Sequence, residues 1–305
     1  MGEATRHEKT LRENRLAAML IDHASFISDR LRRFVGRELE LTAVMKIIEA
    51  KRQTGGYVTI TGAAGQGKSS IIAKLLDLFS AESPIVHFIP FNPGPDHQVN
   101  LLRDIMAQII LKHHLPDVYV TSETRTVLRQ SLPHVLDEVA SRHLTETLFI
   151  DGLDQIQEET RGGRDLSFLP LKLPSGIVCV VGTRPNDTLK PLELLQPHVE
   201  YRLPPLSEGD FTLLLRRYGV TLMPDTAHRF YVGMQAHALY LDLVAQELAV
   251  RGSEEITHLF MRLSANPGSV YLYPLTGWHW RGTSGMESSS QFLAFSPRLM
   301  SRSVV

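Results

Sequence analysis

The sequence predicts an α/β protein with a parallel sheet, followed by a separate helical part. Three observations lead there. Short β-branched and apolar runs alternate with longer amphipathic stretches through the first two thirds of the 305 residues. Those runs are too uniformly apolar to have a wet face, which is the mark of strands covered by helices on both sides. From Pro204 onward the strand pattern stops and only helical periodicity continues.

Taken in order, residues 5–31 carry Leu11, Leu16, Met19, Leu20 and Ile27 at roughly helical spacing and are expected as helix. Phe34-Val35-Gly36-Arg37-Glu38 follows, then a second amphipathic helix to about Lys51. Gln53-Thr54-Gly55-Gly56 signals a turn into the first strand, Tyr57–Thr61. A glycine-rich turn and a helix over 68–79 come next, then a second strand over Pro84–Ile89 and helices over 98–113 and 123–143. Thr147–Ile150, Gly176–Val181 and Val199–Leu203 are the third, fourth and fifth strands. Ser207-Glu208-Gly209-Asp210 starts a helical series over 207–217, 224–232, 235–250 and 254–263: the Ser hydroxyl can satisfy a free amide, and the acids suit the positive helix end. The stretch from about Gly277 is Ser-rich and aperiodic and is expected to be poorly ordered; Trp278 and Trp280 stand at its start.

Composition narrows the function. A hydrophobic fraction of 43% and a charged fraction of 21% supply a real core. With 32 Lys+Arg against 33 Asp+Glu, the net charge of -1 speaks against a globally basic nucleic-acid binder. The one cysteine, Cys179, permits neither an internal disulfide nor a Cys-rich zinc site, and its mid-strand position suits a small apolar packing role. No apolar run reaches the length of about 18 residues needed to cross a bilayer, and the N-terminus lacks the apolar centre of a secretory signal. A soluble cytoplasmic protein with no membrane partner is the simplest expectation.

The chemistry is concentrated at three strand ends. Gly62-Ala63-Ala64-Gly65-Gln66-Gly67-Lys68-Ser69 fits GxxxxGK[ST] in full, between a strand and a helix, and Ser70 extends it. Glycines let the backbone wrap an anion with its N–H groups inward, and the helix that follows presents its positive end to the same anion. Lys68 would reach the β and γ phosphates of a nucleotide, and Ser69 would hold Mg²⁺. Asp151, at the end of an apolar strand, can complete the Mg²⁺ shell, and Asp154 is the candidate to orient an attacking water. Arg184, after Val181-Gly182-Thr183, is a candidate γ-phosphate sensor. Each has a plainer alternative: a strand-end turn for Asp151, a cap for Asp154, a surface Arg before Pro185 for Arg184. His113-His114 and the remaining histidines lack metal-ligand spacing. Arg30-Leu31-Arg32-Arg33 reads as a solvated helix end.

Together these motifs resemble the signal-transduction ATPases with numerous domains, the NACHT-like and apoptotic-ATPase-like P-loop proteins. More narrowly, the chain is similar to the ATPase module that precedes WD-type repeats in bacterial proteins. The resemblance spans residues 22–275 and rests on Phe34–Glu38, GAAGQGKSS, His87–Phe91, Leu148–Asp154, Val181–Arg184 and the segment from Leu203-Pro204-Pro205-Leu206-Ser207. It implies an AAA-like P-loop fold of strand order 2-3-4-1-5, with Val35 and Gly36 against the adenine and a helical lid over ATP or ADP with Mg²⁺. It also implies a switch in which nucleotide exchange permits self-association or partner binding. The expected division is an N-terminal segment 1–33, a nucleotide-binding domain 34–204, a lid 205–275 and a tail 276–305.

Three departures bear on activity. Gln155 stands where the family often has Glu, and an amide is no general base, so hydrolysis is expected to be slow. Ala238 takes the place of the usual lid proline. The WD-type repeats do not follow, so the sequence reads as a truncated member. The alternatives are a DNA-associated AAA-type ATPase of the initiator or loader kind, a small-molecule P-loop kinase, and a degenerate nucleotide-binding module without signalling activity. The neutral charge makes nucleic acid the less favoured partner.

Overall fold

The computed structural model describes residues 2–156, 164–185 and 188–251. The expected helix over 254–263, the Ser-rich tail, and Trp278 and Trp280 lie outside the described residues. Contacts group the chain into two compact units that meet between Leu213 and Leu214.

The first unit holds a five-stranded sheet, β1 (Gly56–Thr61), β2 (Ile85–Phe88), β3 (Glu146–Asp151), β4 (Ile177–Thr183) and β5 (His198–Arg202). The strands are parallel and lie in the order β2-β3-β4-β1-β5. This is the P-loop ATPase arrangement. β1, β3 and β4 are buried along their whole length, including Thr59, Thr61, Glu146, Thr147, Asp151 and Thr183, as strands covered on both faces are.

Alternate residues of these strands feed two cores. Tyr57, Leu148, Ile150, Ile177, Cys179 and Val181 face one, with α1 (Gly2–Ala17), α5 (His97–His113) and α6 (Arg125–Ser141). Val58, Ile60, Phe149, Val178 and Val180 face the other, with α3 (Glu38–Arg52) and α4 (Lys68–Leu78). α2 (Ala24–Arg33) packs on α4 and adds Phe26 and Ile27 to this second core.

Three differences from the sequence expectation have local causes. The single helix expected over 5–31 is two. Between them Asp104 of α5 takes the Ile21 N–H at 3.0 Å, and Asp22 Oδ1 takes the Ala24 N–H at 2.8 Å, so the helical ladder is interrupted by competing acceptors. β4 runs two residues past Val181, because Gly182 is paired with Ile60 on one side and Asp151 on the other. A short helix, α7 (Leu189–Glu193), occupies part of the stretch before β5, for which no element was expected from the sequence.

α8 (Glu208–Arg217) crosses the boundary between the units. In the second unit α9 (Pro224–Gly233) and α10 (Ala238–Arg251) bury Phe230, Met234, Leu241, Val244, Ala245 and Leu248. The turn between them sets Gln235 and Ala236 in the left-handed region, with φ of 54° and 55°. No described helix is long and apolar enough to cross a membrane.

Candidate functional site

The glycine-rich turn leaves the end of β1 and enters α4. Gly65 and Gly67 take φ of 74° and 95°, and a Cβ on Gly67 would meet nothing within 4 Å. Glycine is needed at Gly67 for its backbone conformation, and the side of the loop it faces is open. Gln66 Oε1 accepts the Ala63 N–H at 2.7 Å and closes the loop on itself. Lys68 Nζ reaches back to the carbonyls of Gly62 and Ala63 at 2.9 and 3.0 Å. Ala63, Ala64 and Gly65 are exposed, while Gln66 to Ser70 are half-buried.

β4 lies between β1 and β3, so its C-terminal end stands between the phosphate-type loop and Asp151. That placement brings Lys68, Ser69, Asp151, Asp154 and Arg184 into one electrostatic neighbourhood. Asp151 is buried and hydrogen-bonded to Ser69. Burial pushes its carboxyl above the ordinary value, against the opposing pull of Ser69 and Lys68. Burial likewise pushes the Lys68 ammonium below its ordinary value, while Asp154 and Asp151 pull it back. Asp154 Oδ2 accepts from Arg184 Nε and from Gln155 Nε2, both at 2.7 Å.

Two residues outside the sequence expectation shape this neighbourhood. A Cβ on Gly182 would come within 2.0 Å of Asp151 Oδ1 and 2.7 Å of Ile72 Cδ1, so the missing side chain is the space the carboxylate occupies. The sequence signal was the glycine itself, inside an otherwise β-branched strand. The second residue is Arg37, which is buried. Its Nη1 donates to Glu40 Oε1 at 2.9 Å and to the carbonyls of Pro204 and Pro205 at 2.9 and 3.1 Å. Its Nη2 donates to Gln66 O at 3.3 Å, and its backbone N–H to Asp210 Oδ1 at 3.3 Å. Gly36 and Arg37 both take left-handed φ, 60° and 65°, and a Cβ on Gly36 would strike Asp210. Val35 is half-buried beside them. The segment expected against adenine is therefore tied to the glycine-rich loop through Arg37.

These residues fit a nucleotide with a divalent ion. The loop has an open anion-facing side and a helix N-terminus behind it, a cation stands at the mouth, and a hydroxyl and a carboxylate are paired where the metal would sit.

Comparison with known proteins agrees on the fold. Residues 33–169 match the family model described as an AAA ATPase domain. A Walker-type ATPase of Pyrococcus abyssi shares the fold at 14% identity and a TM-score of 0.53, over 79% of this chain and 75% of that one. A signal-transduction ATPase with numerous domains, with a tetratricopeptide repeat sensor, from Pyrococcus horikoshii is 18% identical. It aligns over 79% of this chain and 32% of its own, with a TM-score of 0.48. Domain III of the Thermotoga maritima replication initiator DnaA is 14% identical over 78% and 97%, with a TM-score of 0.44. No curated protein matches the sequence.

Proposed function

We propose that the chain is an ATP-binding regulatory switch of the signal-transduction NTPase type, with slow Mg²⁺-dependent hydrolysis coupled to self-association or to a protein partner. The observation that supports a switch, beyond nucleotide binding, is Arg37. One buried guanidinium joins the carbonyl of Gln66 in the glycine-rich loop to the carbonyls of Pro204 and Pro205, just ahead of α8. A change in the loop that alters the Gln66 carbonyl alters a bond shared with the start of the helical part. A two-state element needs differential contacts of this kind.

In this reading the loop amides from Gly62 to Lys68 cradle the phosphates, Lys68 leaves the loop carbonyls for the β and γ oxygens, and Ser69 and Asp151 hold the metal. Mg²⁺ would supply charge neutralisation at the phosphates. Arg184, paired with Asp154 in the free chain, would in this reading turn to the γ phosphate. Gln155 supports the reading of slow turnover. Once Arg184 has left, the Gln155 amide still donates to Asp154 Oδ2, and an amide in place of a second carboxylate is no general base for a proton from water. The helical part is assigned the lid role, and the chain acts in the cytoplasm.

Calorimetric titration with ATP and ADP, with Mg²⁺, tests this together with steady-state turnover. The wild type is expected to bind and to hydrolyse far more slowly than one turnover per second. Lys68→Ala is expected to bind at least about 100-fold more weakly, since a charge-assisted contact to phosphate is lost. Equal binding by both proteins overturns the nucleotide site. Many turnovers per second overturn the switch.

A further inference from the structure

A second buried polar cluster lies where β2 meets α5 and the segment between α1 and α2. His23, His87 and Asp104 each bring one ligand-type atom there, all within 4.8 Å of one another. His87 Nδ1 stands 2.7 Å from Asp104 Oδ2, and His23 Nε2 stands 3.8 Å from the same oxygen. Asp104 Oδ1 is taken by the Ile21 N–H and Gln108 Nε2, both at 3.0 Å. Gln108 is itself fixed on both sides by Val86, through its N–H at 3.0 Å and its carbonyl at 2.9 Å. One carboxylate oxygen is thus saturated and locked, and the other is turned toward two imidazoles.

The charge balance of the cluster is incomplete. Asp104 is fully buried, its Oδ1 is held by the Ile21 N–H and Gln108, and its Oδ2 meets only imidazole nitrogens among the described ion-pair partners. An ionised Asp104 can only accept, so in its contact with His87 the proton lies on His87 Nδ1. Among the described residues, the ion-pair partners of Asp104 are histidines, with no Lys or Arg. A fully buried carboxylate without a cation is costly. The contact of His23 Nε2 with the Phe88 N–H is long, at 3.4 Å, so its lone pair is poorly used.

We propose that His23, His87 and Asp104 form a binding site for a divalent transition metal of the zinc type. Two imidazole nitrogens and one carboxylate oxygen are the donor set such ions take, whereas Mg²⁺ and Ca²⁺ prefer oxygen. Bond lengths of about 2.0–2.2 Å place tetrahedral ligand atoms about 3.3–3.6 Å apart. The 2.7 Å edge therefore opens and the 3.8 Å edge closes, each by a fraction of an ångström to about one ångström. The proton on His87 Nδ1 moves to Nε2, so the ring stays neutral and its Nδ1 lone pair faces the ion. Gln108 and the Ile21 N–H then act on the carboxylate as outer partners that orient a ligand. The site would fasten the segment ahead of α2 onto β2 and α5. α2 starts one residue after His23, packs on α4, and sets Phe26 4.6 Å from Phe88.

The test uses the full chain, stripped of metal and free of nucleotide. It is titrated with Co²⁺ while the visible bands of a nitrogen–oxygen site are followed, then with Zn²⁺ by calorimetry, with Mg²⁺ as control. One equivalent of Zn²⁺ per chain, displacing Co²⁺ and raising Tm, is the expected result. His23→Gln is expected to weaken Zn²⁺ binding at least about 100-fold, and Gln108→Ala about 10- to 100-fold. His23 sits at the margin of the cluster, so its variant is the one expected to stay folded. Circular dichroism before titration checks this, and if it does not fold, Gln108→Ala decides. No Zn²⁺ uptake beyond that of Mg²⁺ overturns the site, as does a variant that titrates like the wild type.

Discussion

At the scale of single residues, the candidate site depends on what is missing as much as on what is present. Gly182 lends its empty side to the Asp151 carboxylate. Gly182→Ala is expected to lower unfolding stability by about 1–3 kcal/mol, the usual cost of overpacking a close-packed interior, and to weaken nucleotide binding as well. Denaturant unfolding and titration of the same variant check both. His198 gives a pH-dependent case. Burial pushes it below its ordinary value, with Glu200 and Glu193 pulling the other way, and its Nε2 lies 2.8 Å from Thr59 Oγ1. The folded chain therefore binds a proton less readily than the unfolded one. This contribution is fully present above the ordinary histidine value and is lost as pH falls through it toward the lower folded value. His198→Gln is expected to flatten part of the stability loss that sets in as pH falls below about 6.5, measured by thermal unfolding at a series of acid pH values. The motif residues were legible in the sequence because their chemistry is local. Gly182 and Arg37 were not, because their roles lie in contacts with Asp151, Gln66, Pro204 and Asp210, far away along the chain.

At the scale of elements, all five strands were legible: β1 to β4 from short runs centred on apolar and β-branched residues between turn signals, β5 from the Val-x-Tyr alternation of an edge strand. Boundaries were less so. The helix expected over 5–31 breaks because Asp104, over 80 positions on, accepts the Ile21 N–H, and no local pattern carries that information. The turn between α9 and α10 is another instance: two successive non-glycine residues, Gln235 and Ala236, are left-handed, each at a cost of about 1–2 kcal/mol. Ala238 follows as the first residue of α10, the position that suits proline best. Ala238→Pro is expected to raise the stability of this helical unit by about 0.4–1 kcal/mol through the unfolded chain. Differential scanning calorimetry of the two proteins reads it directly, and a lower Tm would mean that His237 cannot accept a proline after it.

For the molecule as a whole, strand order is the property that makes a site from separate motifs. Periodicity alone predicts five parallel strands in any order, and the order 2-3-4-1-5 came from the resemblance. With β4 between β1 and β3, three strand ends converge, and Arg184 stands beside Asp154 instead of at an edge. Arg37 integrates the first unit in a second way, by joining the start of α3, the glycine-rich loop and the Pro204–Pro205 segment. Arg37→Ala leaves Glu40 buried without its partner, at an expected cost of about 3–5 kcal/mol. Arg37→Lys is expected to recover only part of this, because an ammonium cannot reproduce the planar fork. Urea unfolding of the three proteins ranks them, and equal midpoints would remove Arg37 from its integrating role.

The lone cysteine has a practical consequence. Cys179 lies mid-strand in β4, buried, with its thiol pushed well above the ordinary range by that burial. A folded sample therefore offers maleimide reagents almost no thiolate. Cysteines introduced on exposed helix faces would be the labelled positions, with no need to remove the native residue. Fluorophore pairs placed in α3 and α10 could then report distance changes during nucleotide addition, on a molecule whose interior chemistry has been left intact.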